Sequence, residues 1–408
     1  MESPKLLARL ARITGNIDSA EELAQDVLVA ALEHWPREGI PENPPAWLMQ
    51  AAKNRAIDHV RQRQLRAGKQ DEYGLELALH GTDMQGDDAQ RFADDDFGDD
   101  LLRLLFVSCH PVLPMESRVA LTLRMLGGLA TPQIARAFLQ PEATVAQRIV
   151  RAKRTLAEKR VPFEVPRASE LPERLDAVLE VVYLIFNEGY AATSGAEWMR
   201  PAMCEEALRL GRVLAGLLPR EAEVFGLLAL MELQASRMPA RTRADGAAIL
   251  LMDQNRARWD RLQIQRGLRA LDRAQRLGGA QGPYALQAAL AACHARALRA
   301  QDTDWTRIAA LYAVLARVSP SPVIELNRAV AVGKAQGADA ALPLVDALGD
   351  APQLRDYAPL HAVRGDLLFQ LSRFAEARAE FMRATELTGN ARERDVLAAR
   401  AAQCGAES

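Results

Sequence analysis

The sequence predicts an all-α protein, on three observations. Apolar residues recur at spacings of three and four through most segments, the mark of amphipathic helices. Runs of alternating Val, Ile and Thr bounded by Asn-Gly or Asp-Gly, which would announce hairpins, are missing. Ala, Leu and Arg, all good helix formers, are abundant, whereas aromatic residues make up only 5% of the 408 positions. With 49% hydrophobic and 25% charged residues, the chain is globular in type and long enough for several domains with their own cores.

Composition also excludes classes of function. Cys109, Cys204, Cys293 and Cys404 lie far apart and make no CxxC pair, so neither disulfides nor a zinc site is expected, and a reducing cytoplasm fits. Cys109 and His110 are adjacent but lack a second ligand pair, which reads as helix or turn core rather than metal. No apolar run approaches the ~20 residues that cross a bilayer, and no apolar leader opens the chain, so no membrane contact and a cytoplasmic location are expected. There is no P-loop, no HExxH helix and no Gly-rich dinucleotide turn. A non-enzyme without cofactor or metal is the expectation.

Net charge is only −2, yet the charges are segregated. Residues 1–66 form a first helical module. A short helix, Leu6–Ile13, precedes Thr14-Gly15. Asp18 with Glu21 reads as a capping box opening a helix to about Trp35, with Leu23, Ala24, Val27, Ala31 and Trp35 inward. Pro36–Pro45, with Gly39, reads as a loop. The next helix starts at Ala46, burying Leu48, Ala51, Ala52, Ala56 and Val60 and turning Lys53, Asn54, Asp58 and Arg61 elsewhere. Between Ala46 and Arg66 five Lys or Arg face a single Asp. Residues 67–100 then reverse the sign: Asp71–Asp100 holds eleven acids and one Arg. Such a stretch predicts a flexible linker, a solvated spacer or an internal shield for the basic helices.

Residues 101–160 carry the most informative segment, a helix-turn-helix pattern over Arg118–Leu156. Its first helix, Thr131–Phe138, opens with a capping Thr and a Pro at the first helical position. A turn at Leu139–Ala143 leads to a second helix that buries Val145, Ile149, Ala152 and Leu156. Gln147, Arg148, Arg151 and Arg154 lie off that stripe, and residues 143–160 hold six Lys or Arg against one Glu. A helix of this kind suits a DNA major groove, with Gln and Arg on base edges and other cations on phosphates.

Pro162, Pro166 and Pro172 mark the next boundary, and residues 161–280 read as a further helical domain. Residues 281–408 contain a repeat. Gly365, Leu368, Phe374, Ala377, Phe381 and Ala384 fall on the small and large positions of the 34-residue tetratricopeptide consensus. Ala329, Val332 and Ala341 form a weaker copy, and Pro283–Pro320 a looser one. Stacked helix pairs of this type present a concave face for a protein or peptide partner.

Taken in order, the two basic modules resemble regions 2 and 4 of an extracytoplasmic-function bacterial sigma factor, with one departure: the family's first helix is longer than Leu6–Ile13, which implies a weakly held outer helix here. The likeness rests on Ser19-Ala-Glu-Glu-Leu-Ala-Gln-Asp26 with Val27 and Leu28, on Ala46-Trp47-Leu48, on Lys53-Asn-Arg-Ala-Ile-Asp-His59 before Arg61–Arg66, and on Thr144-Val145 through Arg154. The remainder resembles the subgroup with a tetratricopeptide-like C-terminal extension, through Tyr183-Leu-Ile-Phe-Asn-Glu-Gly-Tyr190 and Ala-Ala-Thr-Ser-Gly195. Asn187 and Glu188 in that apolar run read either as the end of a core helix, capped by Asn187 near Gly189, or as a ligand or interdomain contact.

The resemblance implies binding to RNA polymerase core and promoter DNA. Gln25, Asp26 and Val29 are the implied polymerase contacts. Lys53, Asn54, Arg55, Arg61 and Arg63 are implied at the −10 element, where the Pro36–Pro45 loop would cradle a flipped base. Thr144, Gln147, Arg148, Arg151 and Arg154 are implied at the −35 element. The extension is implied to regulate activity, by intramolecular contact or through a partner on its concave face. The competing expectation is a DNA-binding regulator with a tetratricopeptide sensor, acting beside another sigma factor.

Overall fold

The computed structural model describes residues 3–67, 87–138, 140–191, 199–243, 249–349, 351, 354–389 and 391–407, with no strand among them and eighteen α-helices. They group into two compact units, Met1–Val182 and Tyr183–Ser408.

The first unit opens with α1 (Ser3–Thr14), which packs on α2 (Ile17–Glu38) and α3 (Pro44–Ala67). Leu6, Leu7 and Leu10 are buried, so this short helix is better held than the sequence suggests. The capping box expected at Asp18 and Glu21 does not form. Asn16 caps α2 instead, its extended backbone letting Oδ1 accept from the N–H groups of Asp18 at 2.8 Å and Ser19 at 3.1 Å. Asn is as good a cap as Asp, and Asp18 and Glu21 are left for other partners. α2 also runs through Pro36, which has no N–H to offer the carbonyl four residues earlier, so the helix gives up one bond two residues before its end. Gly39, at φ +90°, ends it with its N–H on the Trp35 carbonyl. Asn43 Oδ1 accepts from Ala46 N–H at 3.1 Å and starts α3.

The expected linker lies partly outside the described residues, but α4 (Asp87–Ser108) begins within it. Asp100, at the end of that stretch, is no solvated acid. It is buried and paired with Arg9 and Arg12 of α1 and with Arg103. Burial raises its carboxyl above the ordinary range despite those three cations. Leu102, Leu104, Leu105 and Phe106 supply the apolar area that holds α4 in place.

After α4 come α5 (Met115–Met125), α6 (Thr131–Ala137) and α7 (Glu142–Glu158). α6 is capped one residue earlier than expected: Gln133 Oε1 accepts from Ala130 N–H at 2.8 Å. Cys109 Sγ lies 3.3 Å from Thr122 Oγ1, and burial pushes its thiol up to about 12. His110 Nδ1 accepts from Val112 N–H at 3.1 Å, and burial with Arg174 and Arg118 holds the ring down to about 4. Both are thus engaged in a local turn, and no metal-holding group of three His, Cys, Asp or Glu occurs among the described residues. Among these residues no helix is long and apolar enough to cross a membrane.

α8 (Leu171–Tyr190) crosses the boundary between units. Its first half belongs with the preceding helices, since Arg174 Nη2 donates to the Phe106 carbonyl at 2.7 Å. The compact-unit boundary therefore falls near 182, beyond the compositional boundary at 160/161. In the second unit α8 continues past Asn187, which is interior to the helix rather than its cap. Glu188 pairs with Arg200, and Tyr190 receives a hydrogen bond from Arg237 at 2.6 Å while Arg241 lies 3.7 Å over its ring.

α9 (Pro201–Leu217), α10 (Ala222–Ala235), α11 (Arg261–Arg276) and α12 (Pro283–Arg296) follow. α12 pairs with α13 (Trp305–Val318), and α14 (Pro322–Gln336) with α15 (Ala338–Asp346). α16 (Ala358–Gln370), α17 (Phe374–Leu387) and α18 (Ala391–Glu407) complete the chain. The small residue at Gly365 is a matter of close approach, since a β-carbon there would lie 2.9 Å from the Phe381 ring.

Two outcomes follow from this packing. Gly365→Val lowers the stability of the second unit by about 1–3 kcal/mol through overpacking, read as a lower urea midpoint, and Phe381→Leu in the same chain restores part of it. His294 is held down to about 4 by burial and by Arg237 and Arg256, against an ordinary 6.5. The unfolded chain therefore binds more protons between those values, so this contribution is complete above pH 6.5 and is lost as pH falls towards 4. The thermal midpoint should fall over that window, and less steeply in His294→Gln.

Candidate nucleic-acid interface

Helical geometry sorts the side chains of α7. Val145, Ile149, Ala152 and Leu156 are buried as the spacing predicts, packing the helix against α5 and α6. Thr144, Gln147, Arg151 and Arg154 are exposed on the opposite side. Arg154 donates to Glu158 at 2.6 Å, which offsets part of its charge. Arg148 differs from its expected neighbours: it is half-buried and donates to Gln140 Oε1 at 2.9 Å. It props the turn between α6 and α7 and reaches outward less than Arg151.

One residue on this face escaped the sequence reading. Val150 is 62% exposed, between Gln147 and Arg154 on successive turns. Its signal in the sequence is an apolar residue lying off the buried stripe. An apolar side chain among hydrogen-bonding groups suits the methyl group of a thymine in the major groove.

Lys153 is placed differently. Its side chain is only 12% exposed, and Nζ lies 2.6 Å from Asp18 Oδ1 and 2.8 Å from Glu21 Oε2, both on α2. Arg124 of α5 donates to Glu21 Oε1 at 2.9 and 2.6 Å. Burial alone would raise Glu21, but hydrogen bonds and charge from Lys153 and Arg124 hold its carboxyl below the ordinary value. Burial likewise works against the Lys153 ammonium, and Asp18 and Glu21 outweigh it, raising its affinity for the proton.

On α3, Asn54 is exposed and its Oδ1 accepts from Gln50 at 3.1 Å. Arg61 is exposed and Lys53 half-buried. The Arg63 side chain lies outside the described ones. Arg55 stands 3.5 Å from Asp26, so two residues expected at separate surfaces are neighbours. The loop 39–43 between α2 and α3 is flanked by an aromatic group, with Trp35 and Trp47 edge-to-face at 5.7 Å and His34 beside Trp47 at 6.4 Å. Aromatic faces of this kind are what unstacked bases use. Gln25, Asp26 and Val29 share the exposed side of α2 with Leu32, which is 74% exposed and was not picked out from sequence.

The chain resembles known proteins in three blocks. Residues 1–66 match the family model for sigma-70 region 2, and residues 103–156 that for sigma-70 region 4. Residues 174–275 match a family of unknown function, DUF6596. An uncharacterized protein of Rhizobium meliloti (strain 1021) is 46% identical over 390 residues, covering 96% of this chain and 91% of that protein.

The geometry of α7 yields a graded expectation on duplex DNA. Gln147→Ala and Arg151→Ala should cost about 1–3 kcal/mol on a preferred site and much less on a scrambled one. Arg154→Ala should weaken both equally and flatten the salt dependence. Val150→Ser should chiefly reduce the preference for thymine at one position, measured by competition between T- and U-containing duplexes.

Proposed function

The chain belongs to the extracytoplasmic-function-like sigma factors that carry a C-terminal extension, and we propose that it reads the two elements of a promoter with separate helices. Region 2, built on α2 and α3, takes the −10 element. The loop 39–43, Asn54 and the neighbouring cations Lys53, Arg55, Arg61 and Arg63 meet its displaced strand, where unpaired bases expose their edges. Region 4 takes the −35 element as duplex, with Thr144, Gln147, Arg151 and Arg154 on α7 and Arg148 supporting the turn. Gln25, Asp26 and Val29, with Leu32, form the polymerase-facing side of α2.

The observation that carries this reading is the division of α7 into one buried apolar stripe and one exposed face of Gln, Val and Arg. The match of residues 1–66 to region 2 supports direct attachment to polymerase over action beside another sigma factor, which would leave that module without a role. Phosphodiester chemistry belongs to the polymerase. The extension is read as the regulator of this activity, through its contact with the rest of the chain or with a partner.

Run-off transcription tests it, with core polymerase and this chain as the sole added factor. Specific transcripts are expected. Asn54→Ala should reduce them on a duplex promoter and recover on one pre-melted at −10, whereas Arg151→Ala should not recover there. A chain ending at Val182 should change output if the extension regulates, and equal output would remove that role.

A further inference from the structure

The second unit carries a charged cleft that the promoter reading leaves aside. It lies where α9, α10 and α11 meet, has a volume of about 390 Å³, and is lined by Arg212, Leu228, Glu232, Arg266 and Arg269. Close helix packing builds it. A β-carbon on Gly267 would lie 2.7 Å from Leu233 Cγ, so α11 packs tightly on α10 and its Arg266 and Arg269, three residues apart on one face, stand over the cleft. A β-carbon on Gly211 would lie 2.6 Å from Met231 Cε, and the close approach of α9 there brings the adjacent Arg212 to Glu232. Arg212 Nε donates to Glu232 Oε1 at 2.9 Å, with Nη2 2.7 Å from the same oxygen. Glu232 is only 2% exposed, and its Oε2 is buried with no hydrogen-bond partner among the described residues. Arg266 and Arg269 are exposed, and neither has a hydrogen bond or ion pair among the described residues.

We propose that this cleft binds a small phosphate monoester that also carries hydroxyl groups, the class of sugar phosphates and nucleoside monophosphates. Three guanidinium groups meet one carboxylate here, which leaves two positive charges uncompensated. A phosphate monoester, at about −1.5 to −2 near neutral pH, matches that excess, and the planar guanidinium fork fits its oxygens. The buried carboxylate narrows the class further. It only accepts hydrogen bonds, so it repels a bare phosphate, and its Oε2 calls for a donor. A hydroxyl on the ligand supplies that donor while the phosphate lies against Arg266 and Arg269. Leu228 offers an apolar wall for the carbon skeleton. The volume falls within the range of about 300–1,000 Å³ that small-molecule sites occupy. A polyanion tracking the arginines of α11 would gain nothing from Glu232 and would be weakened by it. The proposal stands apart from the promoter reading and does not depend on it.

Calorimetric titration of the full chain at about 0.15 M salt, where diffuse charge is screened, tests it. The probes are ribose 5-phosphate, glucose 6-phosphate and AMP, each beside its dephosphorylated form, with inorganic phosphate as a further probe. At least one monoester should bind with a Kd below about 1 mM, and about tenfold more tightly than both its dephosphorylated form and inorganic phosphate. Arg266→Gln with Arg269→Gln should weaken that monoester about tenfold or more, with the ligand-free thermal midpoint unchanged because both side chains are exposed. Glu232→Gln should bring the monoester and inorganic phosphate to within about threefold of each other. Arg276→Gln removes the same charge from α11 outside the cleft, where Arg276 pairs with Asp272, and should leave affinity within about twofold. Absence of any monoester binding below about 1 mM overturns the proposal. So does an equal loss in Arg276→Gln, which marks a diffuse cationic surface, or equal affinity of the parent for monoester and inorganic phosphate, which removes the hydroxyl contact. Should Glu232→Gln fail to fold, the parent's preference for monoester over inorganic phosphate decides the same point.

Discussion

The burial of Val145, Ile149, Ala152 and Leu156 against α5 and α6 governs what the rest of α7 can do. A helix whose inward stripe is occupied leaves the remaining arc to be divided between solvent and neighbours. Gln147, Val150 and Arg151 fall where no described residue of the first unit covers them. Lys153 falls on the flank beside α2, and Arg148 against the turn that aims the helix. A rotation by one residue, 100° in an α-helix, would interchange those roles. The packing of four apolar side chains therefore sets both the DNA-facing chemistry and the contact with region 2.

Electrostatics then decides how the first unit is held together. The chain is close to neutral overall, at −2, but like charges are clustered along it, so besides the local pairs along single helices, such as Arg154 with Glu158, opposite charges meet where distant segments fold together. Asp100 joins Arg9 and Arg12 across 91 and 88 positions of sequence, and Glu21 joins Arg124 and Lys153 across 103 and 132. The two clusters differ in character. Asp100 is fully buried, so losing one of its three arginines would leave its charge less well compensated away from water. Asp18 and Glu21 are partly exposed, so the second cluster exchanges more readily with solvent ions.

The second unit uses arginine for another purpose. Arg256 donates to the carbonyls of His294 and Ala297 at 2.8 and 2.9 Å, at the end of α12. Arg241 donates to the Tyr190 carbonyl at the end of α8. Helix C-termini leave carbonyls without partners and carry partial negative charge, so a guanidinium there satisfies both needs in a buried setting. This explains how a helical extension rich in arginine buries two of them, Arg241 and Arg256. It also explains the Tyr183–Tyr190 run, whose last residue lies under Arg241 and accepts from Arg237.

Much of this was legible in the residues alone, because helical periodicity is a local property. The all-α class, the stripe of α7, the two basic modules and the tight pairing of Gly365 with Phe381 all follow from spacing and side-chain size. Caps and ends were less legible: Asn16 and Asp18 are equally good caps, and only the extended backbone at Asn16 chose between them. What tertiary structure alone decided was the partner of each charge. Sequence shows that Glu21, Asp100, Arg124 and Lys153 are charged and where on a helix they lie. It does not say which distant segment will stand opposite, since ion pairs form across space and depend on how whole helices pack.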